Sequence, residues 1–140
     1  MADFFKSSAQ DIGKLLVRIA LGGILIFHGI SKLTHGIEWL KGLLAQFGLP
    51  GFLAYGPYLG EVVAPLLIIL GLLTRPAAFV IAVDMIMAFV LVVGGRIFSI
   101  NPQGGGWAVE LEAIILLAAL SLFFMGPGKY SISKGRSTWG

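Results

Sequence analysis

Four stretches of this chain, about residues 15–31, 57–73, 76–93 and 107–125, are strongly apolar and long. Each approaches the ~17–25 residues that carry a helix across a ~30 Å hydrocarbon core. Lipid offers the backbone no water to bond, so each stretch is expected to be helical. Composition agrees: 57% of residues are hydrophobic and only 12% charged, against roughly 25% charged in soluble domains. The mean hydropathy is +0.93. A water-soluble enzyme and a disordered tail fit poorly. A nucleic-acid-binding module fits no better, because the ten Lys and Arg form no basic cluster. The expectation is an all-α integral membrane four-helix bundle, a single domain over residues 1–140.

Turn residues order the helices. Thr74-Arg75-Pro76 leaves almost no loop, so the second and third spans should form an antiparallel hairpin. Pro57 and Pro76 suit first-turn positions, where a missing N–H does little harm, and Gly126-Pro127-Gly128 stops the fourth span. The first span carries Arg18 and His28 and has no small-residue cleavage site after it, so it reads as an uncleaved anchor. Lys6, Lys14, Arg75, Lys129, Lys134 and Arg136 fall on the side of the termini, and only Lys32, Lys41 and Arg96 on the other. The positive-inside rule then puts both termini in the cytoplasm of a bacterial inner membrane.

The two outer loops differ. In the first, Ile37, Leu40, Leu43, Leu44 and Phe47 recur at helical spacing opposite Glu38, Lys41 and Gln46. That pattern predicts a short amphipathic helix on the membrane surface, a candidate lid. The second, Gly94 to Gly106, is glycine-rich and holds Asn101-Pro102, which predicts mobility.

Ionisable groups within spans cost roughly 2.5–3.5 kcal/mol each on insertion scales, so they face the bundle interior or water. At 100° per residue, Arg18, Gly22, Leu25, His28, Gly29 and Lys32 share one side of the first helix, where the glycines admit a neighbour. Glu61 begins the second span about one turn in. Asp84 is about 12 Å beyond Pro76, near mid-membrane. Glu110 and Glu112 open the fourth span on opposite sides; Glu110, in phase with Ala113 and Ser121, is the one expected inside. His28, Lys32, Glu61, Glu110 and Glu112 all fall in the outer third, which predicts an outward-opening polar pocket.

A purely structural reading stands beside this one. Lys32 and Arg18 can snorkel to headgroups. Arg18 with Asp84, and Lys32 with Glu61 or Glu110, can staple the bundle as ion pairs. His28 can be a hydrogen-bonded core histidine, and Glu112 can sit at a subunit interface. A metal on His28, Glu61 and Glu110 is chemically feasible but weakly signalled. The chain has no cysteine, which removes thiolate ligands, disulfides and dithiol redox chemistry.

The order of these residues resembles the DoxX family of small four-helix bacterial membrane proteins. The resemblance runs from about Leu15 to Ser133. It rests on Arg18, Phe27-His28-Gly29-Ile30-Ser31-Lys32-Leu33, Glu61, Leu70-Gly71-Leu72-Leu73-Thr74-Arg75-Pro76-Ala77, a fourth-span carboxylate, and Gly126-Pro127-Gly128-Lys129-Tyr130-Ser131. Where the family often carries an acid two places after that serine, this chain has Ser133. The resemblance implies a membrane oxidoreductase or a subunit of one, with links to quinone or catechol chemistry.

The function expected from residues and resemblance combined is a quinone- or phenol-binding component of a membrane oxidoreductase system. His28, Glu61 and Glu110 are the candidate proton-handling catalytic groups. Arg18, Lys32, Asp84 and Glu112 are the candidate ligand-binding groups. No cofactor is identified; a quinone is the ligand class indicated. Its partners would be the lipid bilayer, a hydrophobic small molecule, a soluble redox partner or bound cofactor carrying electrons, and further subunits, either copies of itself or a complex. A small-solute or proton transporter and a non-catalytic assembly subunit remain the alternative classes.

Overall fold

Three of the apolar stretches become helices of membrane-crossing length in the computed structural model, which describes residues 1–3, 7–91, 98–100 and 102–140. The described residues are all-helical: α1 (Ala9–His35), α2 (Glu38–Gln46), α3 (Gly51–Leu70), α4 (Thr74–Leu91) and α5 (Glu110–Met125). Helices α1, α3 and α4 are long and apolar enough to cross a bilayer. Helix α5 is equally apolar but has 16 residues, about 24 Å of rise. Boundaries moved with local chemistry. Helix α1 runs past both ends of the expected 15–31, α4 starts at Thr74 before Pro76, and α5 starts at Glu110 after a Val109 N-cap. The glycine-rich loop expected to be mobile falls partly on residues 92–97 and 101, outside the described residues, as do Lys6 and Arg96.

Helices α1 and α3 meet at glycines. A Cβ on Gly22 would come within 3.0 Å of the Pro65 carbonyl, and one on Gly29 would collide with the Glu61 carbonyl and with Val62. These two positions let the backbones approach as small residues do between membrane helices. The close approach falls on an irregular part of α3, the π-helical turn Leu59–Val63. Pro65 explains the irregularity. It has no N–H for the Glu61 carbonyl four residues back, and its ring would clash with that carbonyl in a regular helix. The turn widens instead, and the Ala64 N–H bonds the Leu59 carbonyl five residues back. The core then closes around Leu21 and Leu25 of α1, Ala64 and Ile68 of α3, Ala78, Ile81 and Met85 of α4, and Ile115, Ala119 and Leu122 of α5.

At the end of the bundle where the termini meet, two arginines finish two helices. The Arg18 side chain is buried, 1% exposed. It donates from Nε to the Ile68 carbonyl (2.8 Å), from Nη2 to Ile69 (2.7 Å), and from Nη1 to Pro127 (3.2 Å) and Tyr130 (2.7 Å). Ile68 and Ile69 belong to the last turn of α3, whose carbonyls have no intrahelical donor and carry the negative end of the helix dipole. Arg75 does the same for α5, donating from Nε to Phe123 (3.0 Å) and Nη2 to Phe124 (3.4 Å), with Nη1 on Thr138. The tail is stitched back onto the α3–α4 turn by Ile132 N–H to Leu70 and Ser133 N–H to Gly71. Gly71 is required twice: its φ is +74°, and a Cβ there would meet Arg18 Nη2 at 2.7 Å.

This geometry corrects the expected Arg18–Asp84 ion pair. Arg18 spends its donors on backbone carbonyls at the terminal end, and Asp84 faces α3 elsewhere. Arg18→Leu, which strands several buried carbonyls at ~1–3 kcal/mol each, is expected to destabilise the chain by about 3 kcal/mol or more. Arg18→Lys should recover only part, since an ammonium cannot span the fork. Thermal unfolding in detergent micelles reads both; an unchanged midpoint in Arg18→Leu would contradict the capping role.

Candidate functional site

The irregular turn in α3 sets the site. By widening the helix it turns Glu61 into the bundle, 5% exposed, and brings Gly60 against α4. A Cβ on Gly60 would lie 2.8 Å from Asp84 Cβ and 2.9 Å from its Cγ. Glycine at 60 therefore lets the two carboxyl-bearing segments touch. Asp84 thus packs on the α3 backbone directly beside Glu61, and both carboxyls line the same cavity as Lys32. Lys32, from α1, donates to Glu61 Oε2 at 2.5 Å, and both side chains are mostly removed from solvent. Tyr58 reaches the Lys32 carbonyl at 3.5 Å.

These groups line a cavity of about 570 Å³, within the ~300–1,000 Å³ of small-molecule sites. His28, Lys32, Glu61, Asp84 and Glu112 face it together with a largely apolar wall. Along α4 the lining runs from Phe79 to Leu91, about 18 Å of helix. Asp84 lies between these limits and Ile115 is one helical turn from Glu112, so the polar groups sit part-way along the cavity, with Phe79 and Val80 on one side and Leu40, Leu44 and Leu91 on the other. Among the described residues neither His28 nor Glu112 has a hydrogen-bond partner.

Helix α2 covers one side of the cavity. Its Leu40 and Leu44 are buried with Ile37 and Ala54, and Trp39, Leu40 and Leu44 line the cavity. Lys41 fastens it, donating to Glu38 at 3.2 Å and to the Tyr55 hydroxyl at 3.3 Å. The Tyr55 bond first, and the Glu38 bond after it, hold the Lys41 ammonium above its ordinary range. The fastening therefore keeps its charge at neutral pH.

Five of the seven site residues read from the sequence meet in the cavity. Arg18 does not: it is committed to carbonyls at the other end. Glu110 does not either. It is exposed and its carboxylate lies beside Gly106, at the N-terminus of α5, where the helix dipole favours an anion. Glu112 takes the inward place expected for Glu110. The buried stripe of α5 is Ile115, Ala119 and Leu122; Glu112 is in phase with it and Glu110 lies about 140° away. Small Ala113 and Ser121 misled the sequence reading, because bulky Ile115 and Leu122 fill this interface while Ser121 turns outward. Gly60 and Trp39 were missed as site residues. Glycine directly before a membrane-buried acid was the available signal for the first; nothing local marked the second. Among the described residues no three metal-ligating side chains converge.

An all-helical protein of membrane character with a cavity that holds a cluster of ionisable groups is the class these features define. The chain belongs to the DoxX family, whose model matches residues 13–94. That stretch contains Lys32, Glu61 and Asp84 and ends before Glu112. An uncharacterised membrane protein of Mycobacterium tuberculosis is 28% identical over 131 residues, covering 86% of this chain and 78% of that protein. A Bacillus subtilis protein named "Putative oxidoreductase CatD" is 31% identical over 116 residues, covering 83% and 81%. An uncharacterised Haemophilus influenzae protein is 34% identical over 121 residues, covering 84% and 86%. No solved structure matches the chain.

Removing one partner of a buried ion pair leaves a stranded charge, at ~3–5 kcal/mol, whereas replacing both with apolar residues is often neutral. Lys32→Met alone should therefore destabilise the chain by about 3 kcal/mol, and Lys32→Met with Glu61→Leu should recover most of that loss. A double-mutant cycle on denaturation midpoints measures the coupling; additive losses would mean the two groups do not act as a pair.

Proposed function

We propose that the cavity binds a hydrophobic ring compound of the quinone or phenol class, and that the chain serves as a component of a bacterial membrane oxidoreductase system. In this reading the chain crosses the inner membrane four times. Helix α5 completes its crossing with flanking residues, both termini lie in the cytoplasm, and α2 rests on the outer surface. Electrons pass through a redox partner or bound cofactor, since the chain carries no thiol and no evident electron carrier of its own. Assembly into an oligomer or larger complex would supply that partner. The oxidoreductase name of the Bacillus subtilis relative supports the same class.

The observation that carries the reading is the meeting of Lys32, Glu61, Asp84, Glu112 and His28 in an otherwise apolar 570 Å³ cavity. A ring with polar oxygens fits beside these groups, and an apolar tail fits the wall that continues along α4. Phe79, Val83 and Leu111 line the cavity and are also exposed on the outer face of the bundle, which gives a lipid-dissolved ligand a sideways entrance. His28 and the carboxyls are placed to exchange protons with ring oxygens, and Lys32 to stabilise negative charge developing there. A transporter needs polar groups along the whole crossing. Here the polar set stops at Asp84, and Arg18 beyond it is locked onto carbonyls. An assembly subunit needs pairs, and Asp84, Glu112 and His28 exceed the Lys32–Glu61 pair in the cavity.

Titration of the detergent-solubilised chain with a decyl-chain benzoquinone should show saturable binding near one site per chain. Ala88→Phe, which puts a ring into the cavity, should abolish that binding while the helical circular dichroism spectrum stays unchanged. Absence of saturable binding by the unaltered chain, or full binding by a folded Ala88→Phe variant, would overturn the reading.

A further inference from the structure

We propose that the cavity prefers the reduced, dihydroxy form of its ring ligand over the oxidised quinone, because its unfilled hydrogen-bonding capacity is mostly acceptor; this rests on the binding reading above. Three carboxyl groups, those of Glu61, Asp84 and Glu112, face one ammonium and one imidazole across the cavity. Lys32 has already given one N–H to Glu61, and Asp84 packs against Gly60 beside that glutamate. What remains open to a ligand is the outer edge of Asp84, both oxygens of Glu112, two N–H groups of Lys32, and the His28 ring.

A quinone oxygen only accepts hydrogen bonds. It can use Lys32 or His28 but finds Glu112 and Asp84 repulsive, and it leaves their acceptor sites without donors in apolar surroundings. A hydroxyl donates and accepts at once. A hydroquinone or catechol can accept from Lys32 through one oxygen and donate to Asp84 or Glu112, so that both kinds of group are satisfied. The ring and tail are the same in the two forms, so apolar contacts cancel in the comparison. One additional hydrogen bond to a charged acceptor corresponds to a preference of roughly tenfold or more.

Three decyl-chain ligands separate the contributions: the benzoquinone, its hydroquinone, and the hydroquinone dimethyl ether, each titrated anaerobically by calorimetry into the full chain in nanodiscs. The expected order is hydroquinone about tenfold or more tighter than quinone, with the ether no tighter than quinone because it has lost its donors. Glu112→Gln keeps the shape but replaces a double acceptor with an amide. Among the described residues Glu112 has no hydrogen-bond partner to lose, so the variant should keep its circular dichroism spectrum and move the ratio toward one. Quinone and hydroquinone binding equally, quinone binding more tightly, or the ether matching the hydroquinone would each overturn the preference while leaving a binding site in place. Failure of all three ligands to bind would instead remove the binding reading itself. Should Glu112→Gln lose its helical signal, Asp84→Asn takes its place with the same expected shift.

Discussion

A backbone carbonyl in hydrocarbon must find its donor within the protein, and this fold turns on how Arg18 answers that demand. Helix α3 ends with carbonyls that no later residue of the helix can satisfy. One guanidinium, arriving from α1, takes two of them and two more from the tail after α5. Three separated parts of the chain are thereby held at one point. Arg75 repeats the solution for α5. Both arginines sit at negative helix ends, so charge, donor geometry and dipole act in the same direction. Because Arg18 is committed to these carbonyls, its guanidinium is not available to a ligand.

The opposite end follows from a different constraint. Pro65 prevents a regular turn at Glu61, and the widened turn carries that carboxyl inward while Gly29 and Gly60 make room on either side. The same distortion that disturbs the helix creates the place where α1, α3 and α4 bring Lys32, Glu61 and Asp84 together. Irregular helical turns of this kind recur at functional positions. Here the cause is visible in the chain itself, as a proline four residues after the acid.

Much of this was legible from residue types. Long apolar runs meant helices, and the Gly22/Gly29 face of α1 meant close packing. Lys32 with Glu61 was one of two pairings open to that lysine. Other features were hidden. Arg18 looked like a partner for Asp84 because counting charges along a chain cannot count orphan carbonyls. Glu110 looked like the inward acid because small residues shared its face, although helix packing in α5 buried large ones. Nothing local marked Trp39, and only the folding back of α2 placed it against the cavity.

The sequence by itself determined that this protein is helical and lives in lipid, and that any redox role must be carried without thiols. Those conclusions rest on summed transfer energies and on residue inventory, which depend little on who neighbours whom. It also limited the site to a short roster of ionisable residues, because so few are present. Only the tertiary structure decided which of them share a cavity and which serve as helix caps. That division depends on helix rotation and on the position of one irregular turn. Both are set by contacts between distant segments, and a linear reading at 100° per residue carries no information about them.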